Sequence, residues 1–456
     1  MGLLTNQTGL DSQGHRTIDI LRTADPTIEL TKLFSPEHGI FGAKDSETIG
    51  QEIDPTTGIH VTSLYGPKDS DKRPKPEDLK DLDAVVIDLQ DAGVRFYTYE
   101  SVLGYFIEAA SCEATRSHPL QIVVLDRPAL IGGLAVQGPI SNTAPAYINY
   151  MPEPVRNGMT FGELAQYMRA EHPGTCPAHL IGRDFSPGNT ARKINVGFSP
   201  GDMLSTSAAK PAGGSPGPQP LPSGGSRGLQ APESDVQNQG ASASGLSPSS
   251  SAHLTVVPMQ NWRRSDFYDQ TGLPWINPSP NLRSIEAATL YPGVGMMDAT
   301  NVSVGRGTDT PFEIFGAGVT PATKTTPAIP TWFDGHAVAT YLTARHIPGV
   351  TFAPTTFPVA ETSEKYPYHG QTIQGVRMTV TDRLALDSPE LGIEILSALH
   401  HLYPTHFKLA QATNLVANTE TMAALARDDD PRAIAATWAP ALAAFKERRA
   451  KYLLYR

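Results

Sequence analysis

Two short apolar runs constrain the fold of this chain more than any other feature. "DAVVIDLQD" (83–91) and "LQIVVLDRP" (120–128) are continuous aliphatic stretches ending in carboxylates, with "YESVLGYFIEAAS" (99–111) between them. A strand apolar on both faces must be covered on both, and the segment between has the length and spacing of a helix. Strand, helix, strand is the unit of a parallel sheet. The rhythm extends to both sides. "GLLTN" (2–6), "IELTKLFSP" (28–36) and "IHVTSLYG" (59–66) read as further strands, and "TIDILRTA" (17–24) and "PEDLKDL" (76–82) as helices. In "TFGELAQYMRAE" (160–171), Thr160 is the expected N-cap, with Glu163 completing a capping box. The predicted fold class is therefore α/β, a parallel sheet with helices on both faces.

A chain of 456 residues is too long for one ordinary core and is expected to form two domains. Composition breaks sharply between them. Residues 201–252 are dominated by Gly, Pro, Ser, Ala and Gln and hold too little apolar area to offset the entropy of ordering, so a disordered insert is predicted there. The expected division is 1–200, 201–252 and 253–456. In the last part "HLTVVPMQNW" (253–262) and "IQGVRMTVTD" (373–382) read as strands, and "GHAVATYLTAR" (335–345) and "SPELGIEILSALHHLY" (388–403) as helices. The stretches 277–297 and 300–317 read as loop-rich. This half is predicted to be mixed α+β.

Several partner classes fall away on composition. The net charge is −10 and no Lys/Arg-rich run stands out, so nucleic acid is not an expected partner. No apolar run approaches the roughly 20 residues needed to cross a bilayer, so no membrane partner is expected. The first residues lack a charged start and a long apolar segment. As given the chain reads as cytoplasmic, or as exported if its N-terminus is truncated. Cys112 and Cys176 have no metal-ligand spacing and exclude a disulfide framework. They are read as two separately buried thiols, a single bridge being the alternative. No metal and no cofactor are expected, and oligomeric state is left open.

In open parallel sheets the chemistry gathers at the carboxyl ends of the strands. Four predicted strands end there in polar residues: Asn6, Glu37–His38, Asp88–Gln90–Asp91 and Asp126–Arg127. In "LFSPEHGIFG" (33–42), Glu37 follows a strand end and has Leu33, Phe34, Ile40 and Phe41 around it. Apolar neighbours disfavour a charged carboxyl, which suits a general acid. His38 could orient Glu37 or contact a ligand; the plainer reading of each is a loop residue paired with its surroundings.

"DLQDAGVRFYTYES" (88–101) is the densest polar and aromatic cluster. Tyr97 and Tyr99 offer faces for a sugar ring, and Arg95 a fork for a carboxylate. An Asp91–Arg95 pair bracing the turn is the competing reading, and Glu100 is expected on a solvated helix face. "NVSVGRGTDTPFE" (301–313) contains a turn that could cradle an anion, with Arg306 as clamp or as an interface ion pair. No phosphate loop, serine-nucleophile elbow or His-Glu-x-x-His motif appears.

Taken together, these stretches resemble one family. "GLLTNQTG" (2–9), "PEHGIFG" (36–42), "SLYG" (63–66), "DLQDAGVRFYTY" (88–99), "VLDRP" (124–128), "GPI" (138–140) and "RNGMTFGELA" (156–165) occur in order. "LTVVPMQNWRR" (254–264), "TGLPWINPSPN" (271–281), "YPGVGMMDATNVSVGRGTDTPFE" (291–313) and "VTDR" (380–383) follow them. The set is similar to the exo-acting β-N-acetylmuramidases of the NamZ type, glycoside hydrolase family 171, formerly a domain of unknown function. The resemblance implies a Rossmann-like N-terminal domain, a smaller α+β C-terminal domain and a site in the cleft between them. It implies release of N-acetylmuramic acid from the non-reducing end of peptidoglycan-derived glycans, without metal or nucleotide, and carries the catalytic glutamate onto Glu37. The chain departs from the family pattern at Val304, where an acidic residue often stands, and at Asp298–Ala299, in place of a Glu–Gly pair.

On this reading Glu37 is the general acid. Asp91 is the candidate second carboxylate, with Glu313 and Glu108 behind it. Retaining glycosidases set their carboxylates about 5–5.5 Å apart and inverting ones about 6.5–9.5 Å, and attack by the substrate's own acetamide is a third route. All three stay open. Arg306 or Arg95 could take the lactyl carboxylate of muramic acid. Tyr65, Tyr97, Tyr99 and Trp275 are candidates for a sugar platform, and Asn6, His38, Asn301 and Glu313 for further substrate contacts. A non-catalytic glycan-binding protein on the same fold is the alternative, and an enzyme dependent on a co-substrate a third reading.

Overall fold

The computed structural model describes residues 1–44, 50, 52–112, 119–172, 252–322 and 327–456. The expected insert, 201–252, lies outside the described residues except for Ala252, which is buried. Residues Met1–Gly197 and Ser250–Arg456 form one compact unit; the other unit, Phe198–Ser249, lies outside the described residues.

The first half delivers the predicted alternation. Strands β1 (Gly2–Thr5), β2 (Lys32–Ser35), β3 (Glu52–Ile53), β4 (His60–Ser63), β5 (Ala84–Asp88) and β6 (Gln121–Leu125) alternate with helices α1 (Thr17–Ala24), α2 (Pro76–Leu79), α3 (Tyr99–Cys112) and α4 (Phe161–Glu171). A small two-stranded sheet, β7 (Gln137–Ile140) and β8 (Pro154–Arg156), comes between β6 and α4. After the insert, β9 (His253–Val257) pairs parallel with β6, so the main sheet draws strands from both sides of the insert. Its order is β3-β4-β2-β1-β5-β6-β9, parallel throughout except for β3, which runs antiparallel at the edge. Leaving that edge strand aside, the chain builds outward from β1 on one side, then crosses over and builds outward on the other. This is the Rossmann-like arrangement, with its switch point between β1 and β5. α4 begins as its sequence predicts: Thr160 Oγ1 accepts from the Glu163 amide at 3.3 Å, and the Glu163 carboxylate accepts from the Thr160 amide at 3.0 Å.

The second half adds α5 (Ile285–Val294), β10 (Ile314–Ala317), α6 (Gly335–Ala344), β11 (Val350–Pro358), β12 (Thr372–Val380) and α7 (Ser388–Leu402). The short helices α8 (Thr413–Val416), α9 (Thr419–Ala426) and α10 (Pro431–Ala436) and the longer α11 (Ala439–Arg449) follow. β10, β12 and β11 make an antiparallel sheet. Helix α5 and strand β10 both fall where loops were expected. Pro292, Gly293 and Gly295 hide the helix, because each ordinarily disfavours a helix interior. Here Ser388 of α7 supplies what the proline disturbs: its hydroxyl accepts from the Gly293 amide at 3.0 Å and donates to the Leu290 carbonyl at 3.0 Å. Gly293 is required by contact, since a Cβ there would lie 1.9 Å from the Ser388 carbonyl oxygen.

One buried apolar cluster runs from Leu4, Val85 and Ile122 of the main sheet through Leu290 and Phe315 to Phe445. The C-terminal residues are tied to α4: Arg264 Nη2 pairs with the Glu163 carboxylate, whose Oε1 also accepts from the Leu454 amide at 2.7 Å. Cys112, expected as a buried free thiol, is instead disulfide-bonded. It closes α3 at a half-buried position rather than inside the core; Cys176 lies outside the described residues. No helix among the described residues is long and apolar enough to cross a membrane.

Candidate active site

The carboxyl ends of β1, β2 and β5 lie side by side at the switch point, because these strands are immediate neighbours. Thr5 Oγ1 ties the ends of β1 and β5 by donating to the Asp88 carbonyl at 3.0 Å. Asn6 follows β1 and is buried. Its Oδ1 accepts from the Thr8 amide and hydroxyl at 2.9 and 2.6 Å, which aims its Nδ2 at Tyr99 Oη, 2.8 Å away. Tyr99 Oη in turn donates to the Pro278 carbonyl at 3.0 Å. Next to it, Gln7 Nε2 donates to the Asn277 carbonyl at 2.7 Å. The 271–281 loop is thereby fastened to the end of β1. Trp275 stands on this loop, half-buried, its indole donating to Asn277 Oδ1 at 3.0 Å and its ring edge-on to Tyr268.

Glu37 begins the turn after β2. His38 and Gly39 both have positive φ, 75° and 77°, so the chain reverses within two residues. Histidine tolerates the left-handed region better than most side chains, but a non-glycine residue held there is a local strain. The loop offsets it by closing on itself: the His38 ring Nδ1 donates to the Lys44 carbonyl at 2.8 Å. His38 is thus an internal brace for the turn. Glu37 is half-buried, its apolar enclosure incomplete because Phe41 turns to solvent, 51% exposed. Glu37 Oε2 accepts from Thr98 Oγ1 at 2.8 Å.

Aromatic rings surround this pair. The Tyr147 hydroxyl is buried near Thr98 without a hydrogen-bond partner, and the Tyr65 ring lies 6.4 Å from that of Tyr147. Tyr97 and Tyr99 pack edge-on at 4.7 Å, and Tyr291 of α5 packs edge-on against Phe96, Tyr97 and Phe312. Burial pushes the phenols of Tyr97, Tyr99, Tyr147 and Tyr291 up, keeping them neutral hydrogen-bond donors. The charges of Glu37 and Asp91 both add to this effect on Tyr99 and Tyr291, so the two carboxyls flank the same tyrosines.

Beneath Tyr99 lies a group of buried acids. Asp91 is 7% exposed; its Oδ2 accepts from the Gly93 amide at 2.6 Å and its Oδ1 has no partner. Burial, with the charge of Glu153 behind it, pushes Asp91 up to about 7. Asp91 also lines a cavity of about 10 Å³ with Gln90, Arg127 and Thr160, about the size of a single water site. Glu100, expected on a solvated face, is fully buried, on a helix that packs against both α4 and β6. Asn157 Nδ2 donates to Glu100 and to Glu153, 3.0 Å from each. The remaining oxygens, Glu100 Oε2 and Glu153 Oε1, are buried without a hydrogen-bond partner, and the two acids repel one another. Burial and this mutual repulsion raise Glu100 well above the usual carboxyl range.

Arg95 faces these acids and corrects another expectation. It is fully buried, and its guanidinium donates to Asn149 Oδ1 at 3.1 Å and to the Leu415 and Val416 carbonyls at 2.9 and 3.0 Å. Those bonds pin the α8 turn, leaving the group no surface from which to grip a ligand. Arg306 is held by Asp298, Nε lying 3.0 Å from both carboxylate oxygens, and sits over the Phe312 and Tyr366 rings. Asn301 uses both ends of its amide on the 406–408 segment, bonding the His406 carbonyl and the Lys408 amide at 2.9 Å. Glu313 accepts from Ser284, the N-cap of α5, at 2.6 Å. Glu108 is held by Arg73 and Tyr150 at 2.5 and 2.9 Å. At the other strand ends, Asp88 pairs with Arg127 at 2.6 Å, and Asp126, pushed up to about 6 by burial, accepts from Thr160 and Tyr455.

The structure therefore gathers Asn6, Glu37, His38, Tyr65, Tyr97, Tyr99 and Asp91 around the switch point, and joins Trp275 to it through Asn277 and Gln7. Arg95, Asn301, Glu313 and Glu108 serve the scaffold. Thr98, Tyr147 and Tyr291 were not singled out from sequence; Thr98 alone carried a signal, sitting between two tyrosines already chosen. Among the described residues no group of three or more His, Cys, Asp or Glu is placed to hold a metal ion.

Comparison with known proteins places the chain in a family. The family model for the N-terminal part of exo-β-N-acetylmuramidase NamZ matches residues 1–185 and 236–286, and the C-terminal model matches 289–455. The peptidoglycan β-N-acetylmuramidase NamZ of Bacillus subtilis (strain 168) is 31% identical over 460 residues, covering 100% of this chain and 86% of the relative. A crystal structure of a DUF1343 family protein from Bacteroides fragilis NCTC 9343 superposes with a TM-score of 0.71 at 26% identity, covering 100% of this chain and 94% of the other. A second protein of that name and organism, at 22% identity with a TM-score of 0.64 and covering 100% and 93%, shows the shared fold. Two family models in chain order, the first interrupted by the insert, and a relative aligned along the whole chain lead to one conclusion: this chain belongs to the exo-β-N-acetylmuramidase NamZ family.

Proposed function

We propose that this glycosidase is an exo-acting β-N-acetylmuramidase that releases N-acetylmuramic acid from the non-reducing end of peptidoglycan-derived glycans, with Glu37 as general acid/base. The muramidase activity named for the Bacillus subtilis relative supports the substrate class. The observation that carries the role of Glu37 is its position: a half-buried carboxyl after β2, oriented by Thr98 and ringed by neutral tyrosines. In this reading Glu37 gives its proton to the glycosidic oxygen as positive charge builds at the anomeric carbon. The same residue then assists water after the leaving sugar departs. Tyr65 and Trp275 are the candidates for the sugar platform. Asp91 is the second carboxyl. Its unpartnered Oδ1 and a pKa pushed to about 7 suit a group that exchanges a proton near neutrality. Residues 1–286 and 289–455 are read as the two domains of the enzyme, with the insert inside the first.

The test is release of N-acetylmuramic acid from a MurNAc–GlcNAc disaccharide by wild type and Glu37→Gln. The expected result is a loss of about 10²–10⁴-fold in kcat with the fold intact, since the general-acid contribution is removed. Equal rates would remove Glu37 from the mechanism. Tight binding of the disaccharide by wild type without cleavage would favour a glycan-binding protein on this fold.

A further inference from the structure

The proposed sugar carries a lactyl carboxylate, so its site needs a cation, and both arginines expected in that role are committed elsewhere: Arg95 to buried backbone carbonyls and Arg306 to Asp298. Lys72 is placed differently. It ends a 3-10 turn, Asp69–Lys72, and is half-buried, with its Nζ 4.5 Å from the centroid of the Tyr147 ring. The hydroxyl end of that ring lies near Thr98, whose own hydroxyl holds Glu37 at 2.8 Å. One tyrosine ring therefore separates the ammonium group from the Thr98–Glu37 hydrogen bond. That is the scale of one sugar residue, between the anomeric oxygen and a substituent across the ring.

The carboxylates nearby are occupied. Asp69 accepts from Arg73 Nε at 3.1 Å and from Tyr105, Glu108 accepts from Arg73 and Tyr150, and Asp71 accepts from the Lys68 amide at 3.1 Å. Among the described residues no carboxylate pairs with Lys72; an aromatic face alone holds its charge. A half-buried ammonium oriented by a ring and lacking a counter-ion is a ready acceptor for an incoming anion. We propose that Lys72, set by Tyr147 and bordered by Tyr65, is the recognition site for the carboxylate of an acidic sugar, and so selects N-acetylmuramic acid over its neutral relatives. This rests on the glycosidase reading above and adds to it the group that reads the acid.

Calorimetric binding of N-acetylmuramic acid and of its lactyl carboxamide, to wild type, Lys72→Met and Lys72→Arg, tests this without relying on turnover. The expected result is that wild type prefers the acid about tenfold or more, that Lys72→Met abolishes the preference by weakening acid binding alone, and that Lys72→Arg keeps most of it. Lys72→Met binding the acid as wild type does, or wild type failing to distinguish acid from amide, would overturn the assignment. A wild type that binds the acid through Lys72 but releases no sugar from MurNAc–GlcNAc would overturn the hydrolase reading and leave the Lys72 assignment supported.

Discussion

Asp91→Asn should flatten the dependence of stability on pH, and the size of the effect follows from where Asp91 sits. Burial lifts this carboxyl from its ordinary 3.8 to about 7. Below about pH 4 the folded and unfolded chains both carry the proton, and the fold has the full benefit. Between about pH 4 and 7 the folded state keeps a proton that the unfolded state has released, so stability falls as pH rises, levelling off above about 7. At 1.36 kcal/mol per pH unit, the decline from Asp91 alone between pH 5 and pH 8 is about 3 kcal/mol. Part of the lift comes from the charge of Glu153 rather than from burial, which leaves about 2 kcal/mol to burial itself. Asparagine keeps an acceptor for the Gly93 amide and removes the charge. Urea midpoints of wild type and Asp91→Asn at pH 5 and pH 8, at constant ionic strength and unchanged m, read the difference directly. The buried Glu100–Glu153 pair gives both proteins a further decline of the same sign, so the quantity that matters is the gap between the two slopes. Curves that stay parallel within about 0.5 kcal/mol would refute the argument that burial holds Asp91 protonated.

Two other substitutions probe separate links in the argument. Thr98→Val keeps the side-chain shape but deletes the hydrogen bond to Glu37, and kcat for MurNAc–GlcNAc should fall about tenfold or more with KM little altered, consistent with about 1.5–3 kcal/mol for a bond to a charged group; an unchanged kcat would mean that Thr98 does not position Glu37. Gly293→Ala would drive a methyl to 1.9 Å from the Ser388 carbonyl and force α5 and α7 apart. A loss of about 3 kcal/mol in denaturant stability is expected, and a loss under about 1 kcal/mol would show that the two helices can slide past one another.

Most of the sheet could be read from the chain because its signals are local. The runs 83–91 and 120–128 carry nearly unbroken aliphatic residues at their centres, Val85–Ile87 and Ile122–Leu125, and they become β5 and β6. Position at a strand end, too, is a one-dimensional property, so Asn6, Glu37 and Asp91 were identified before any contact between them was known. The left-handed His38–Gly39 pair shows why Pro-Glu-His-Gly carries Glu37: the turn puts the carboxyl at the mouth of the sheet while His38 closes the loop behind it. Helix α5 was lost for the opposite reason. Its Pro292 and Gly293 argue locally against a helix, and only Ser388, 95 residues away, makes that backbone acceptable.

The residues misassigned or missed share one property. Arg95 and Glu100 look like ligand-facing and solvent-facing groups because charge ordinarily means exposure. Nothing in the neighbouring sequence says that the Leu415 and Val416 carbonyls, 320 and 321 residues on, would take the guanidinium. Nor does it say that Glu153 and Asn157 would meet Glu100 inside the core. Tyr147 and Lys72 are unremarkable in one dimension and meet only because the turn before α2 and the loop after β7 fold toward the end of β2. By itself the sequence determined a parallel α/β sheet and which polar residues, Glu37 among them, fall at its strand ends, since each depends on residues within about ten positions. Which charges are buried, which carboxyls meet in the core and which cation is left to face a ligand depend on contacts across dozens to hundreds of residues, and only the tertiary structure decided them.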